Sequence, residues 1–296
     1  MEQNVYVIGD VHGCYYTLLK LIDKLPSDAK LIFVGDLCDK GNFSKEVIEF
    51  VMQNNFPCVK GNHEHLFEKY ILDAVKKNIH SPWSEDIRYG GKACIQSYKG
   101  EVKLIEKHLA WIATLPTYIE VGKYFITHGF ALDLYKHKDD KTYYNDFLLK
   151  RYYKDTKEPE VAEDIINVFG HCIFSQVQKG KKFFALDTGC SSGGFLSALC
   201  LQTQEIIQEK MDTRDSSYSV KELTLKSFNT KASLENIQNI TLKGSCVYAD
   251  FDVISHEVLL HIVHTYKDKG LQELHEMHKR AVIFPKQINR ILETLK

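Results

Sequence analysis

Long apolar runs are missing from this 296-residue chain, and so is any excess of one charge. No apolar stretch reaches the ~18 residues of a membrane span, so none is expected. Basic and acidic side chains number 38 and 39, which excludes a strongly basic nucleic-acid footprint or an acidic tail. Eight cysteines are present, but CxxC pairs and zinc-finger spacings are not. Cys58, Cys172 and Cys200 sit inside apolar runs, as buried thiols of a reducing compartment do, not as parts of a disulfide framework. The first residues, Met1-Glu2-Gln3-Asn4, run straight into a strand without a signal peptide's apolar segment, so a cytoplasmic location is expected. No internal repeat is visible. What remains is an ordinary globular composition, 44% hydrophobic and 26% charged, long enough for one large core with or without an appendage.

Short apolar strands alternate with amphipathic helices over residues 1–210. Val5–Ile8 ends at Gly9-Asp10 and precedes a helix over Thr17–Leu25. Leu31–Val34 ends at Gly35-Asp36 and precedes a helix over Lys45–Met52. Phe56–Val59 ends at Lys60-Gly61-Asn62 and precedes a helix over His63–Lys77. Strand, glycine, polar residue and helix in that order are the grammar of βαβ units. Further strands are expected at Tyr124–Thr127, Ile165–Phe169 and Phe183–Leu186, with a hairpin from Phe195–Leu201 to Ile206-Ile207. Two sheets of mixed direction covered by helices accommodate this pattern better than one doubly wound sheet. Residues 211–296 form a separate extension of unknown role, expected to pack on the first domain. It opens with a polar stretch that includes a strand at Val220–Leu225, continues with a strand at Val247–Phe251, and is helical from Val253 with breaks at Gly270 and Pro285.

Five polar clusters lie at the carboxyl ends of the apolar strands: GDVHG around Asp10 and His12, GDLCDKG over 35–41, GNHE over 61–64, His128, and His171. In open α/β sheets such ends converge on one crevice. Asp10, His12, Asp36, Asn62, His128 and His171 would bring oxygen and imidazole donors together, more than one ion needs and enough for two that share a carboxylate. Oxygen mixed with imidazole favours manganese or iron, with zinc as a further candidate. Taken singly, each residue has a plainer role, since a Gly-Asp pair at a strand end is commonly a turn or helix cap. Recurrence at five strand ends, each beside a glycine that lets the backbone turn sharply, separates the set from caps.

GDVHG, GDLCDKG and GNHE, followed by THGF and GHC, resemble the metallophosphoesterase superfamily, and within it the phosphoprotein phosphatase family in its short bacterial and phage form. LDTGCSSGGFLSALCL resembles the closing strands of those enzymes. The resemblance spans residues 4–210 and implies a four-layer α/β/β/α calcineurin-like sandwich, with residues 1–210 as the catalytic domain. It implies a serine/threonine protein phosphatase in which a hydroxide bridging two divalent ions, manganese foremost, attacks phosphorus. Asp10 and His12 would hold one ion, Asn62, His128 and His171 the other, and Asp36 both. His63 would be the general acid and Asp39 its partner. The family carries Arg where this chain has Lys40 and Lys60; both keep the charge near phosphate without the planar fork that grips two oxygens. Arg151, in NDFLLKRYY, matches the third phosphate-binding Arg, with Lys150 as the neighbouring alternative.

Other features read as structural. His261 with His264, and His275 with His278, are paired on expected helices without a carboxylate nearby and read as solvated faces. His65 points away from His63, Ser191-Ser192-Gly193-Gly194 reads as a hairpin turn, and the tyrosines around 143–153 read as packing. Two rival functions remain: a dinucleoside polyphosphate hydrolase, whose sister family typically lacks an aspartate at the position of Asp39, and an inactive scaffold binding a protein partner through residues 211–296. An inactive protein has no reason to keep all six ligand positions and the acid pair. The expected partner is a phosphorylated protein or peptide, with no nucleic acid and no membrane.

Overall fold

The computed structural model describes residues 3–86, 89–153, 158–161 and 163–215, together with the strands over 220–223 and 240–243. The chain divides into two compact units, Met1–Ser217 and Tyr218–Lys296.

In the first unit, strands β1 (Val5–Ile8), β2 (Lys30–Phe33), β8 (Phe195–Cys200) and β9 (Ile206–Lys210) form a four-stranded sheet in the order β2-β1-β8-β9. A five-stranded sheet joins β3 (Tyr118–Val121), β4 (Tyr124–Thr127), β5 (Ile166–Phe169), β7 (Phe183–Ala185) and β6 (Gln178–Lys179) in the order β3-β4-β5-β7-β6. The central pairs β1/β2, β4/β5 and β5/β7 are parallel, and the pairs β1/β8, β8/β9, β3/β4 and β6/β7 are antiparallel. Direction is therefore mixed, as the strand pattern implies.

Period-two alternation assigns the layers. Val7 and Leu199 from one sheet meet Ile126, Val168 and Phe184 from the other, in a core between the sheets. Tyr6, Ile8 and Phe33 face the opposite way, against the helices α1 (Tyr15–Ile22), α2 (Ser44–Gln53), α3 (Asn62–Lys77), α5 (Gly91–Tyr98) and α6 (Val102–Ile112). On the far side of the second sheet, Phe125, Phe169 and Phe183 are covered by Phe130, Phe147 and Tyr152, from a thin layer that includes the helix α7 (Tyr144–Leu149). This is the four-layer sandwich. Cys58, Cys172 and Cys200 are buried, and among the described residues they form no disulfide. Among the described residues no helix is long and apolar enough to cross a membrane.

Several elements differ from the sequence pattern for physical reasons. Phe56–Val59 contributes a bridge from Cys58 to Phe33, not a strand, because Pro57 brings no N–H to a ladder. Helix α1 starts ahead of Thr17 because Asp215, far along the chain, caps it: its carboxylate accepts the N–H groups of Tyr16 and Thr17 at 2.9 and 2.8 Å. The segment after α3 holds α4 (Pro82–Glu85), α5 and α6, which the βα alternation does not foretell. In the second unit β10 (Val220–Leu223) pairs antiparallel with β11 (Ile240–Lys243). The expected strand at Val247–Phe251, the helices beyond Val253, the paired histidines from His261 to His278 and the packing of the extension all lie outside the described residues.

Candidate metal centre and acid pair

Five of the six candidate ligands stand where a strand stops. Asp10 and His12 follow β1, Asp36 follows β2, His128 follows β4 directly, and His171 follows β5 after one glycine. Asn62 and His63 open α3. His12, Asp36, Asp39, Lys40 and His171 all have positive φ, between 48° and 71°. A left-handed backbone at non-glycine residues is strained, and here it clusters where side chains turn back toward a common point. Gly170 is required by closeness: a Cβ there would lie 1.9 Å from Asp10 Oδ1.

All six candidate ligands, Asp10, His12, Asp36, Asn62, His128 and His171, come together in one cluster, with Asn62 half-buried and the other five buried. Asp36 is central. Its Oδ2 lies 3.5 Å from His12 Nε2, and its Oδ1 lies 3.3 Å from His128 Nε2 while accepting the backbone N–H of His63 at 2.9 Å. Asn62 Oδ1 sits between His128 Nε2 at 2.9 Å and His171 Nδ1 at 2.8 Å. Asp10 accepts the backbone N–H of His171, with Oδ2 at 3.0 Å. Backbone carbonyls fix the imidazoles: Cys38 O faces His12 Nδ1 at 2.9 Å, Val34 O faces His128 Nδ1 at 2.8 Å, and Leu149 O faces His171 Nε2 at 3.1 Å. The outer nitrogens of His12 and His171 donate to their carbonyls, so the inner nitrogens of these two rings present lone pairs to the cluster.

The electrostatics ask for positive charge. Burial drives the Asp10 carboxyl well above its usual range, and neighbouring Asp187 adds to the rise. Burial also opposes ionisation of Asp36, but His128, His63 and His12 outweigh it and hold that carboxyl well below its ordinary value. Burial resists charge on His128, while Asp36 and Asp10 pull it up to about 10. His171 is pushed down to about 3, by burial first and then by His128 and Arg151. One imidazole thus holds a proton for the whole set. Lone pairs of oxygen and nitrogen aimed inward, around buried carboxylates, are the donor chemistry of divalent cations such as manganese, iron or zinc. The His12–Asp36–His63 and Asp36–His128–His171 groups each bring their ligand atoms within 4.8 Å of one another. Asp36 belongs to both.

Beside this cluster, His63 Nδ1 lies 2.7 Å from Asp39 Oδ2, and both side chains are buried. Its Nε2 looks toward the cluster, 3.9 Å from Asp36 Oδ2. Lys40 also points inward, with Nζ 2.7 Å from His12 Nε2. Lys60 is differently engaged: its ammonium is held by both carboxylate oxygens of Glu68, each at 3.0 Å. Arg151 lies just beyond the end of α7, exposed, and its guanidinium reaches the carbonyl of His171 at 3.4 Å. Lys150 turns outward to Asp133 at 2.5 Å. His65 meets the ring of Tyr144. Tyr152 packs on Phe130, Phe169 and Phe183.

Three further residues shape the site. Glu64 is fully buried, and its carboxylate accepts the N–H groups of Asp36, Leu37 and Gly61 at 2.8, 2.7 and 2.9 Å. Trp83 Nε1 donates to Asp39 Oδ2 at 2.7 Å. Asp187, buried after β7, feels Lys40, Asp10 and Asp36. Asp187-Thr188-Gly189 is one more polar cluster at a strand end, so that signal was present in the sequence. Nothing local marks Trp83.

The sequence pattern of calcineurin-like phosphoesterases matches residues 4–192. Over 234 residues, 68% of this chain and 91% of the relative, the protein is 25% identical to the asymmetrical bis(5'-nucleosyl)-tetraphosphatase PrpE of Anoxybacillus flavithermus. Over 210 residues, 66% of this chain and 91% of the relative, it is 27% identical to serine/threonine-protein phosphatase 2 of Escherichia coli. Among solved structures, a protein serine/threonine phosphatase from Saccharomyces cerevisiae superposes with a TM-score of 0.50 at 16% identity, covering 71% of this chain and 80% of its own. That likeness concerns the fold alone. With the family pattern covering most of the catalytic unit and the donor set gathered at its strand ends, this chain belongs to the calcineurin-like metallophosphoesterases.

Proposed function

We propose that the protein is a metal-dependent phosphomonoester hydrolase acting on phosphoserine or phosphothreonine in proteins. The observation that carries this reading is the buried His63–Asp39 pair at 2.7 Å. A serine or threonine leaves as a strongly basic alkoxide and needs a proton in the transition state. A nucleotide leaving from a dinucleoside polyphosphate is a stable phosphate anion and needs little. A built, oriented acid is therefore of most use to the monoester reaction.

In this reading Asp10, His12 and Asp36 would hold one divalent ion, and Asp36, Asn62, His128 and His171 would hold the other. Such ions, when bound, would supply an activated water and offset charge on phosphate oxygens. The chain's own groups do the rest. Asp39 holds the His63 ring so that Nε2 carries its proton toward the leaving oxygen. Lys40 places a cation beside the cluster, and Arg151 reaches over its rim; each is suited to bind a phosphate oxygen and orient the group for in-line displacement. Lys60, tied to Glu68, contributes charge at one remove.

The second reading is hydrolysis of dinucleoside polyphosphates, which the name of the Anoxybacillus flavithermus relative supports. Assay of the purified protein with manganese, in parallel on an aryl phosphate, a phosphothreonine peptide and diadenosine tetraphosphate, separates the two. The proposal expects the peptide's kcat/KM to be the larger of the two biological substrates. A tetraphosphate preferred by about a hundredfold, close to 2.7 kcal/mol of transition-state binding, would overturn it.

A further inference from the structure

The orientation of the acid pair depends on a residue outside the strand-end clusters. Asp39 Oδ2 accepts two hydrogen bonds, one from His63 Nδ1 and one from Trp83 Nε1, each at 2.7 Å. Its other oxygen, Oδ1, is buried and has no hydrogen-bond partner among the described residues. The thiols of Cys38 and Cys94 lie within 4.8 Å of the carboxylate, and burial pushes both thiols up, so neither is a thiolate near neutrality. A carboxylate with both donors on one oxygen and none on the other has no further bond to resist rotation about Cβ–Cγ. Trp83 supplies the second point that fixes its plane.

Trp83 is itself firmly held. It is 1% exposed, and its ring stacks on Tyr70 at 6.2 Å with an interplanar angle of 17°. Helix α4, which carries it, is capped by Ser81, whose side chain accepts the N–H of Ser84. Gly91 leaves room for the indole, since a Cβ there would lie 2.5 Å from the ring. The adjoining Gly90 carbonyl accepts the N–H of Lys40 at 3.2 Å. One short stretch of chain therefore braces Asp39 from the side and Lys40 from the backbone.

We propose that Trp83 is a positioning residue for proton donation: its indole N–H locks the Asp39 carboxylate so that His63 presents Nε2 to the leaving oxygen. This rests on the phosphoesterase reading with His63 as the acid, and it differs from a packing role in one respect. Loss of the N–H harms reactions in proportion to how much the leaving group needs a proton.

The test is Trp83→Phe, assayed with saturating manganese on a series running from nitrophenyl phosphate through phenyl phosphate to an alkyl phosphate. The expected result is a kcat about 10–100-fold lower on the alkyl ester, the usual range for an outer partner of an active-site group. On nitrophenyl phosphate the change should be small, with KM and bound metal unaltered across the series. If Trp83→Phe does not fold, β-(3-benzothienyl)alanine at position 83 keeps the shape, replaces N–H by sulfur, and decides the same question. An equal loss on all esters, or no loss on any, overturns the proposal. His63→Asn run beside it keeps the underlying reading separate: if that variant shows a leaving-group dependence and the position-83 variants do not, the inference about Trp83 fails alone. If His63→Asn shows none, the acid reading fails and this inference with it.

Discussion

Replacing Glu64 by Gln should loosen the metal centre without touching a ligand. The carboxylate takes three backbone N–H groups: Oε2 accepts from Asp36 and Gly61, and Oε1 from Leu37. A glutamine keeps one oxygen and puts an NH₂ in place of the other. Its better orientation faces the NH₂ to Leu37, which loses one bond and sets two donors against each other. A buried donor left unpaired costs about 1–3 kcal/mol. For a unit of this size that corresponds to a melting temperature lower by about 2–12 °C. Because Asp36 hangs from the same loop, metal affinity or turnover should also fall by about 10–100-fold. Glu64→Ala, which orphans all three donors, should be worse on every measure. The assays are thermal unfolding with and without manganese, titration of the metal, and turnover of an aryl phosphate. Unchanged melting and unchanged metal affinity in Glu64→Gln would refute the view that this carboxylate holds the GDLC turn in place.

Three further outcomes follow from the site. Asp36→Asn should lose bound metal and activity together, read by elemental analysis of the purified variant; two tightly held ions per chain would contradict the shared-ligand role. His63→Asn should lower kcat by about 10²–10⁴-fold, the range for a lost general acid, with metal content nearly intact and a smaller loss on nitrophenyl phosphate. Lys40→Ala should cost about 2–4 kcal/mol in kcat/KM, while Lys40→Arg preserves or improves it. A change within about ±0.5 kcal/mol for the alanine variant would mark Lys40 as a solvated turn residue instead.

The βα alternation and the polar clusters at strand ends were legible because they are local: apolar run, glycine, then donor. The likeness of the GDLCDKG and GNHE stretches to the family implies the pairing of Asp39 with His63, though the two stand 24 positions apart. What was hidden rests on residues far apart in the chain. Asp215 caps α1 from the other end of the catalytic unit, and Trp83 reaches Asp39 across 44 positions of sequence. Neither contact leaves a periodicity. Pro57 did leave a signal, since a residue without an N–H weakens any expected strand, and Phe56–Val59 duly contributes a single bridge. Lys60 shows the limit of matching residue types: its position matches the family's Arg, but Glu68, in the second turn of α3, takes the charge.

Asp10, His12 and Asp36 stand at the rim of one sheet, His128 and His171 at the rim of the other, and the layers between these rims are joined by apolar packing. Any cation held jointly by the two groups acts as a rivet between the sheets. Thermal stability then becomes a gauge of metal identity. An ion that binds only the folded chain raises unfolding free energy by about 2.7 kcal/mol at a hundred times its Kd. Melting the protein against a panel of divalent ions would rank them without any substrate in hand, and chelation should lower the transition of this unit. The ion giving the steepest rise with concentration is the one whose size and ligand preference the two rims are spaced to accept.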